Sequence, residues 1–366
     1  MQDLICYKEL PVWTAQTIPQ GFKNQHNTKA GTWAKLKIYQ GALSFAFLDE
    51  AGQVQSKYLF TPEQQPPFIE PQAWHKIVST SDDIECQLQF YCTPQDYFYK
   101  KYQLSPTHSE ILAAMPYLHG GRALDVGCGQ GRNSLYLNQQ GFEVDAWDVN
   151  PQSLQKLQQI IDAEGIQKIH VQQRDLNADP SITGTYDFIC CTVVMMFLEA
   201  PTVKPLIAQM QQATNVNGFN LIVCAMDTPD LPVQADFPFA FKTGELSALY
   251  DGWNIVKYNE NVGELHRVAH PGDLAFGDDE GMGDPIHFGG FEPILDEGFA
   301  ADGDAVGHLI ALGLEEIFRA LGGGRIAFGF PDVDARDDHA LLAHLLVEVI
   351  QMRDRGDARA APARPA

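Results

Sequence analysis

The chain has few basic residues for its size. Its 366 residues include 25 Lys and Arg against 47 Asp and Glu, a formal net charge of −22 at pH 7. Proteins bind nucleic acids and anionic membranes through basic surfaces, so we expect neither as a partner. An anionic small molecule would have to be held by local cations or by backbone N–H groups.

Targeting signals and long apolar runs are also missing. The start, Met1 to Leu4, has no basic region followed by an apolar stretch, as a secretory signal would. The longest nearly apolar stretch, Phe188 to Leu198, has 11 residues and is too short to span a bilayer. Seven cysteines occur without a C-x-x-C pair, which is typical of free thiols in a reducing compartment. We therefore expect a cytoplasmic protein.

The last part of the chain differs in composition from the rest. Residues 271–366 contain no Ser, Thr, Asn, Cys, Lys, Trp or Tyr, and carry 19 acidic residues against 7 arginines. A chain of this length is expected to form two or three domains. We predict three segments, 1–95, 96–268 and 269–366, of which the third has a different origin.

Apolar and polar residues alternate in the first segment. Leu36 and Ile38 alternate with lysines, and similar runs span residues 43–47 and 84–90. Period-2 runs separated by turns predict a small antiparallel sandwich or barrel. His26 and His75 are predicted to face each other inside it. The further ligands of a metal site are absent, so we predict no bound metal and an accessory or oligomerisation role, with a homo-oligomer as one outcome.

A glycine-rich turn marks the second segment. Residues 123–133, Ala-Leu-Asp-Val-Gly-Cys-Gly-Gln-Gly-Arg-Asn, read as a buried strand, a turn and the start of a helix. Glycine allows the backbone to turn sharply and approach a ligand. Asp125 lies two residues before the first glycine, and Asp148 ends the next strand, where a carboxylate accepts ribose hydroxyls. Asp175 follows the third strand, where an acid meets an adenine amino group.

The alternation of strands and helices predicts an α/β, Rossmann-like domain with its site at the carboxyl ends of parallel strands. Glycines 127, 129 and 131 do not give the G-x-G-x-x-G spacing of nicotinamide-dependent dehydrogenases. The pattern therefore favours S-adenosylmethionine over a dinucleotide. A purely structural glycine turn would require three acidic strand ends by coincidence.

Seven stretches of residues 96–268 closely resemble the TehB-type tellurite methyltransferases: 97–98, 101–102, 107–110, 124–137, 192–198, 220–227 and 263–267. The first segment resembles the cupin-like domain that precedes the methyltransferase in longer members of this family. The resemblance implies a class I methyltransferase that acts on tellurite, and less selectively on selenium oxyanions, in detoxification. His266 and Arg267 are then the catalytic oxyanion clamp, and Tyr102 and His108 lie over the cofactor. We predict the following cofactor-binding residues: Lys101, Tyr102, His108, Asp125, Gly127, Gly129, Arg132, Asn133, Asp148, Asp175, Leu176 and Thr192.

The third segment departs from the TehB pattern after Arg267. It resembles the first half of 2-C-methyl-D-erythritol 2,4-cyclodiphosphate synthase, with Asp273 and His308 at two of three metal-ligand positions and Ala275 at the third. We predict an atypical α/β tail, an amphipathic helix at 341–352 and an unstructured end. The strand that normally completes a methyltransferase sheet is predicted to be absent, which would leave unpaired backbone and reduced stability. Three readings remain: a working chimera, a composite with a compromised core, and a protein that binds S-adenosylmethionine without turnover.

Overall fold

The computed structural model describes residues 3–229, 232–233, 237–265 and 341–351. Within these residues the chain forms two compact units, the first ending at Gln103 and the second beginning at Leu104. Each unit has its own hydrophobic core.

The first unit is built from two antiparallel sheets. One has the order β1-β7-β2, with β3 also paired to β7, and the other has the order β5-β4-β6. Its strands are β1 (Ile5–Glu9), β2 (Trp13–Thr14), β3 (Trp33–Gln40), β4 (Leu43–Leu48), β5 (Val54–Phe60), β6 (His75–Thr80) and β7 (Glu85–Cys92). Helix α1 (Tyr97–Tyr102) follows β7. The predicted antiparallel β architecture is therefore present.

Alternation places one face of each strand in the core of this unit. On β3, Ala34, Leu36 and Ile38 are each at most 2% exposed, whereas Lys37 between them faces solvent. His26 and His75 are buried and paired by an isolated antiparallel bridge, with ring centroids 4.1 Å apart. The predicted facing of the two histidines is thus observed, beside a cavity of about 20 Å³.

The second unit contains a seven-stranded sheet with the order β10-β9-β8-β11-β12-β14-β13. Strands β8 to β12 are parallel, as their alternation with helices predicts. The elements are α2 (Ser109–Ala114), β8 (Gly121–Val126), α3 (Arg132–Gln139), β9 (Phe142–Asp148), α4 (Pro151–Glu164), β10 (Ile169–Gln173), β11 (Tyr186–Thr192), α5 (Ala200–Ala213), β12 (Thr214–Met226), α6 (Glu245–Leu249), β13 (Asn254–Leu265) and β14 (Leu341–Gln351). In the described residues, no helix combines the length and apolar character that crossing a membrane requires.

Local sequence explains where the helix after β9 begins and ends. Asn150 accepts hydrogen bonds from the N–H groups of Gln152 and Ser153, at 2.8 and 3.1 Å, and Pro151 occupies the first helical position. Gly165 ends α4 with φ of 64°, a left-handed conformation that glycine adopts without strain. These signals fix α4 directly behind Asp148, at the carboxyl edge of the sheet.

The prediction that the sheet lacks its closing strand is wrong. Strand β14 pairs antiparallel with β12 over Phe219 to Met226 and with β13 over Asn254 to Leu265. The same residues were predicted to form an amphipathic helix, and that prediction is also wrong. Residues 341–350 are almost continuously apolar, and a short apolar run does not distinguish a buried strand from a helix by its period.

Candidate active site at the carboxyl edge of the sheet

The turn between β8 and α3 is shaped by three glycines. Gly127, Gly129 and Gly131 have φ values of 71°, 54° and 89°, which L-residues with side chains rarely adopt. A Cβ at Gly127 would meet Val194 at 2.3 Å, and one at Gly131 would meet Leu157 at 2.3 Å. A Cβ at Gly129 would meet nothing within 4 Å. The first and third glycines therefore allow close packing, and the middle one borders open space.

Asp148 ties the end of β9 to this turn. Its Oδ2 accepts the N–H of Gly129 at 2.7 Å, and its Oδ1 accepts the N–H of Asn150 at 2.8 Å. The carboxylate is 5% exposed. A carboxylate has about four acceptor positions, and backbone donors that fix its oxygens orient it for ligand hydroxyls. Its place at a strand end beside a glycine turn is that of a ribose-binding acid.

Asp125 lies behind the turn, on β8. It is completely buried, and its Oδ2 accepts the hydroxyl of Ser134 at 2.6 Å, while the thiol of Cys190 lies 3.5 Å from Oδ1. Burial raises the pKa of this carboxyl group, and the bond from Ser134 partly opposes the rise. These contacts join β8, α3 and β11, so Asp125 fixes the first turn of α3 against the sheet.

Asn133 brings two further predicted residues together. Its Oδ1 accepts the backbone N–H of His108 at 3.1 Å, and its Nδ2 donates to the Thr192 hydroxyl at 3.0 Å. Asn133 is 3% exposed. Because the amide oxygen of Asn133 binds the segment before α2 and its amide nitrogen binds the last residue of β11, the side chain holds this segment against the carboxyl end of β11. The predicted residues His108, Asn133 and Thr192 thus form one connected network.

His108 is a neutral helix cap near the half-buried Arg132. Its Nδ1 accepts the N–H of Glu110 at 3.2 Å, which caps α2. Burial, with a smaller contribution from the charge of Arg132, lowers the pKa of His108 to about 4. Burial also lowers the pKa of Arg132, while the nearby Asp125 raises it. Arg132 opens α3 directly after the glycine turn, where its charge can meet a carboxylate of a ligand.

Asp175 and Leu176 follow β10 at the same edge. The N–H of Arg174 donates to the backbone oxygen of Asp148 at 2.8 Å, which joins this loop to the end of β9. Asp175 is exposed and accepts the N–H of Asn177 at 3.0 Å, whereas Leu176 is buried. Asp148, the last residue of β9, and Asp175, two residues after β10, therefore lie at the carboxyl ends of neighbouring strands.

The remaining predicted residues lie in the first unit or outside the described residues. Lys101 and Tyr102 lie on α1 in the first unit, where the Lys101 ammonium donates to the Tyr97 hydroxyl at 2.7 Å. His266 and Arg267 lie outside the described residues. Their roles, like those of the other site residues, stay predictions.

Two features of this edge were not found from the sequence. Val193, directly after β11, has φ of 60°, which is rare for a β-branched residue and gives no sequence signal. At the end of β12, Asp227 forms an ion pair with Lys242 and accepts the N–H of Val233 at 3.1 Å. The matching segment 220–227 pointed to Asp227 but not to its partner.

The residues present fit an adenosine cofactor with a charged amino-acid end. Open space borders Gly129, oriented acids end β9 and β10, and a cation opens α3. The described residues contain no group of three or more His, Cys, Asp or Glu side chains that could hold a metal ion. The edge can therefore bind and orient a cofactor by hydrogen bonds and charge.

Known proteins match this chain along most of its length. Residues 90–275 match the family described as tellurite resistance protein TehB, and residues 8–88 match the TehB-like domain. The probable S-adenosyl-L-methionine-dependent methyltransferase TehB of Haemophilus influenzae is 46% identical over 271 residues, 74% of this chain and 94% of the relative. Hemagglutinin 1 of Eikenella corrodens is 39% identical over 225 residues, 62% of this chain and 74% of the relative.

A solved structure agrees with the fold. The crystal structure of TehB from Haemophilus influenzae superposes with a TM-score of 0.71 at 36% identity, covering 96% of this chain and 99% of that one. The glycine turn and the acidic strand ends lie within the segment matched by the TehB family. The chain therefore belongs to the TehB family and is an S-adenosylmethionine-dependent methyltransferase.

Proposed function

We propose that the methyl acceptor is tellurite, with selenium oxyanions as poorer acceptors, and that the reaction serves tellurite resistance. The observation that carries this proposal is the match of residues 90–275 to the family described as tellurite resistance protein TehB. The acidic composition supports a small substrate over a nucleic acid, because a net charge of −22 repels polyanions.

The chain's own residues bind and position. Asp148 would accept the ribose hydroxyls, Asp175 would accept the adenine amino group, and Arg132 would pair with the carboxylate of the amino-acid end. When bound, S-adenosylmethionine supplies an electrophilic methyl group on a positively charged sulfur. A lone pair on Te(IV) would accept this methyl group, with S-adenosylhomocysteine as the leaving group and no proton to be removed from the acceptor. Alignment of the two reactants then accounts for most of the acceleration.

We further propose His266 and Arg267 as the clamp for the oxyanion. They follow β13, which runs parallel to β12 because both strands are antiparallel to β14. Strand β13 therefore ends at the carboxyl edge, the edge that carries the glycine turn. Two cationic donors in sequence directly after such a strand suit bidentate recognition of an oxyanion.

The first unit is proposed as an accessory, cupin-like domain that supports a homo-oligomer in the cytoplasm. Its two sheets and small apolar cavity support the β-barrel-like description. The synthase-like origin of the third segment also stays a proposal, and the stretches that carry it lie outside the described residues.

Production of S-adenosylhomocysteine by the purified full chain tests the acceptor. We expect tellurite-dependent production, and a double variant, His266→Ala with Arg267→Ala, that loses it while keeping its affinity for S-adenosylhomocysteine in titration calorimetry. Production that does not depend on tellurite would exclude it as the acceptor. Binding without turnover on any oxyanion would instead indicate a cofactor-binding protein. Wild-type turnover in the double variant would contradict the clamp.

A further inference from the structure

The residue after β11 has a backbone conformation that its side chain disfavours. Val193 lies in the left-handed region, with φ of 60°, where a β-branched side chain collides with its own backbone. Its N–H donates to the backbone oxygen of Val223 at 2.7 Å, which holds the conformation from the neighbouring strand β12. A glycine would adopt this turn without strain. The presence of valine therefore indicates that its side chain has a function at this position.

The neighbours of Val193 on both sides are fixed to the cofactor side of the edge. The Thr192 hydroxyl accepts a hydrogen bond from Asn133, and Val194 fills the space that a Cβ at Gly127 would need. Val193 itself is half-buried and packs against the apolar core cluster of this unit. Its side chain is thus confined at the rim of the edge, between the core and open space.

The sheet order places the two acids and Val193 on opposite sides of β8. The acids that suit the ribose and adenine end β9 and β10, on one side of β8. Strand β11 lies on the other side of β8, and its end carries Val193. A cofactor that crosses the glycine turn from the adenine acids directs its other end, with the sulfonium methyl, toward the end of β11.

We infer that Val193 is a positioning residue whose side chain forms the apolar wall beside the methyl group of S-adenosylmethionine. The wall contacts the methyl group and keeps water from it, and its left-handed backbone directs the side chain there. This inference depends on the methyltransferase reaction and not on which acceptor is used.

The test compares S-adenosylmethionine with S-adenosylhomocysteine, because the two differ only in the methyl group and its charge. For Val193→Gly we expect a 2- to 5-fold rise in the ratio of the S-adenosylmethionine Kd to the S-adenosylhomocysteine Kd, by roughly the scale of a lost methyl contact. Titration calorimetry measures both constants without turnover. Glycine relieves the backbone strain, so the unfolding midpoint should stay within about 3 °C of wild type.

Two further variants make the result specific. Val193→Phe should fill the methyl position and raise the same ratio by about 10-fold or more, given that 1.4 kcal/mol is tenfold in Kd. Val194→Ala is the matched control, because Val194 packs on the glycine turn and its loss should weaken both ligands by the same factor. An unchanged ratio in Val193→Gly and Val193→Phe would overturn the inference, as would an equal loss of both ligands in Val193→Gly. Absence of tellurite turnover in the wild type would refute the proposed acceptor and leave this test intact.

Discussion

Individual side chains at the carboxyl edge divide into those that only join parts of the chain and those that also border open space. Asp125 and Asn133 use their polar atoms on other parts of the chain and are at most 3% exposed. Asp148 combines backbone hydrogen bonds with a position beside the open space at Gly129. The glycines and acids were predictable because strand-turn-helix patterns have strong sequence signals. The bridge made by Asn133 was not, since it depends on three segments that meet only in the fold.

Asp148 gives a direct test at this scale. Asp148→Ala should weaken binding of S-adenosylmethionine by about 1–3 kcal/mol, the cost of losing hydrogen bonds to a charged group. Titration calorimetry measures the change. Asp162→Ala is a matched control, because Asp162 is an exposed carboxylate on α4. If both variants bound S-adenosylmethionine with the same affinity, Asp148 would not be a cofactor-binding residue.

The two buried histidines of the first unit predict a pH dependence of stability. Burial, with a smaller contribution from the neighbouring His26, lowers the pKa of His75 to about 3. A histidine in the unfolded chain has a pKa near 6.5. Below that pH, His75 is therefore protonated in the unfolded state while it stays neutral in the folded state. The stability from His75 is therefore full above pH 6.5 and falls as the pH drops toward 3.

Between pH 7.5 and pH 5 this linkage should cost the first unit about 2 kcal/mol of unfolding free energy. Urea denaturation at the two pH values measures it in the wild type and in His75→Gln. Since glutamine does not titrate, the variant should show a smaller loss over the same interval. If the wild type and His75→Gln lost the same unfolding free energy between the two pH values, the pKa of His75 would not be lowered in the folded protein.

Among the elements, β14 departs most from the prediction, because it places part of the third segment in the methyltransferase sheet. A parallel sheet whose strands alternate with helices was predictable as far as β12, because each strand has an apolar run and a following helix signal. The closing strand, β14, was not predicted because it lies far from β13 in sequence and does not match the TehB sequence pattern. Tertiary pairing with β12 and β13 determines the state of this apolar run.

Truncation tests the contribution of β14. A chain that ends at Ala340 should unfold at a lower urea concentration than one that ends at Met352, which retains β14. The expected loss is several kcal/mol, because β12 and β13 would each gain an unpaired edge. Circular dichroism follows both transitions. Coincident curves for the two chains would show that β14 does not stabilise the sheet.

At the scale of the whole molecule, the net charge has the same sign as the proposed substrate, tellurite. The net charge of −22 repels an anionic acceptor, so encounters with tellurite should be slower than for a neutral protein. Salt screens this repulsion over about 10 Å at 0.1 M. The kcat/KM for tellurite should therefore rise as potassium chloride is increased from about 0.01 to 0.1 M. A fall with salt would indicate that cations near the site outweigh the rest of the molecule.

The register of β14 sets an order of events during synthesis. His344 pairs with Met226 and Gln351 pairs with both Phe219 and Asn254, so the strand joins segments that are about a hundred residues apart. Such contacts close large loops and form slowly. At about 5–20 residues per second, the ribosome completes β14 several seconds after β12, and β12 lacks this pairing partner during that time. The nascent chain therefore has an open sheet edge during that interval, and a chaperone that shields apolar strands would act then.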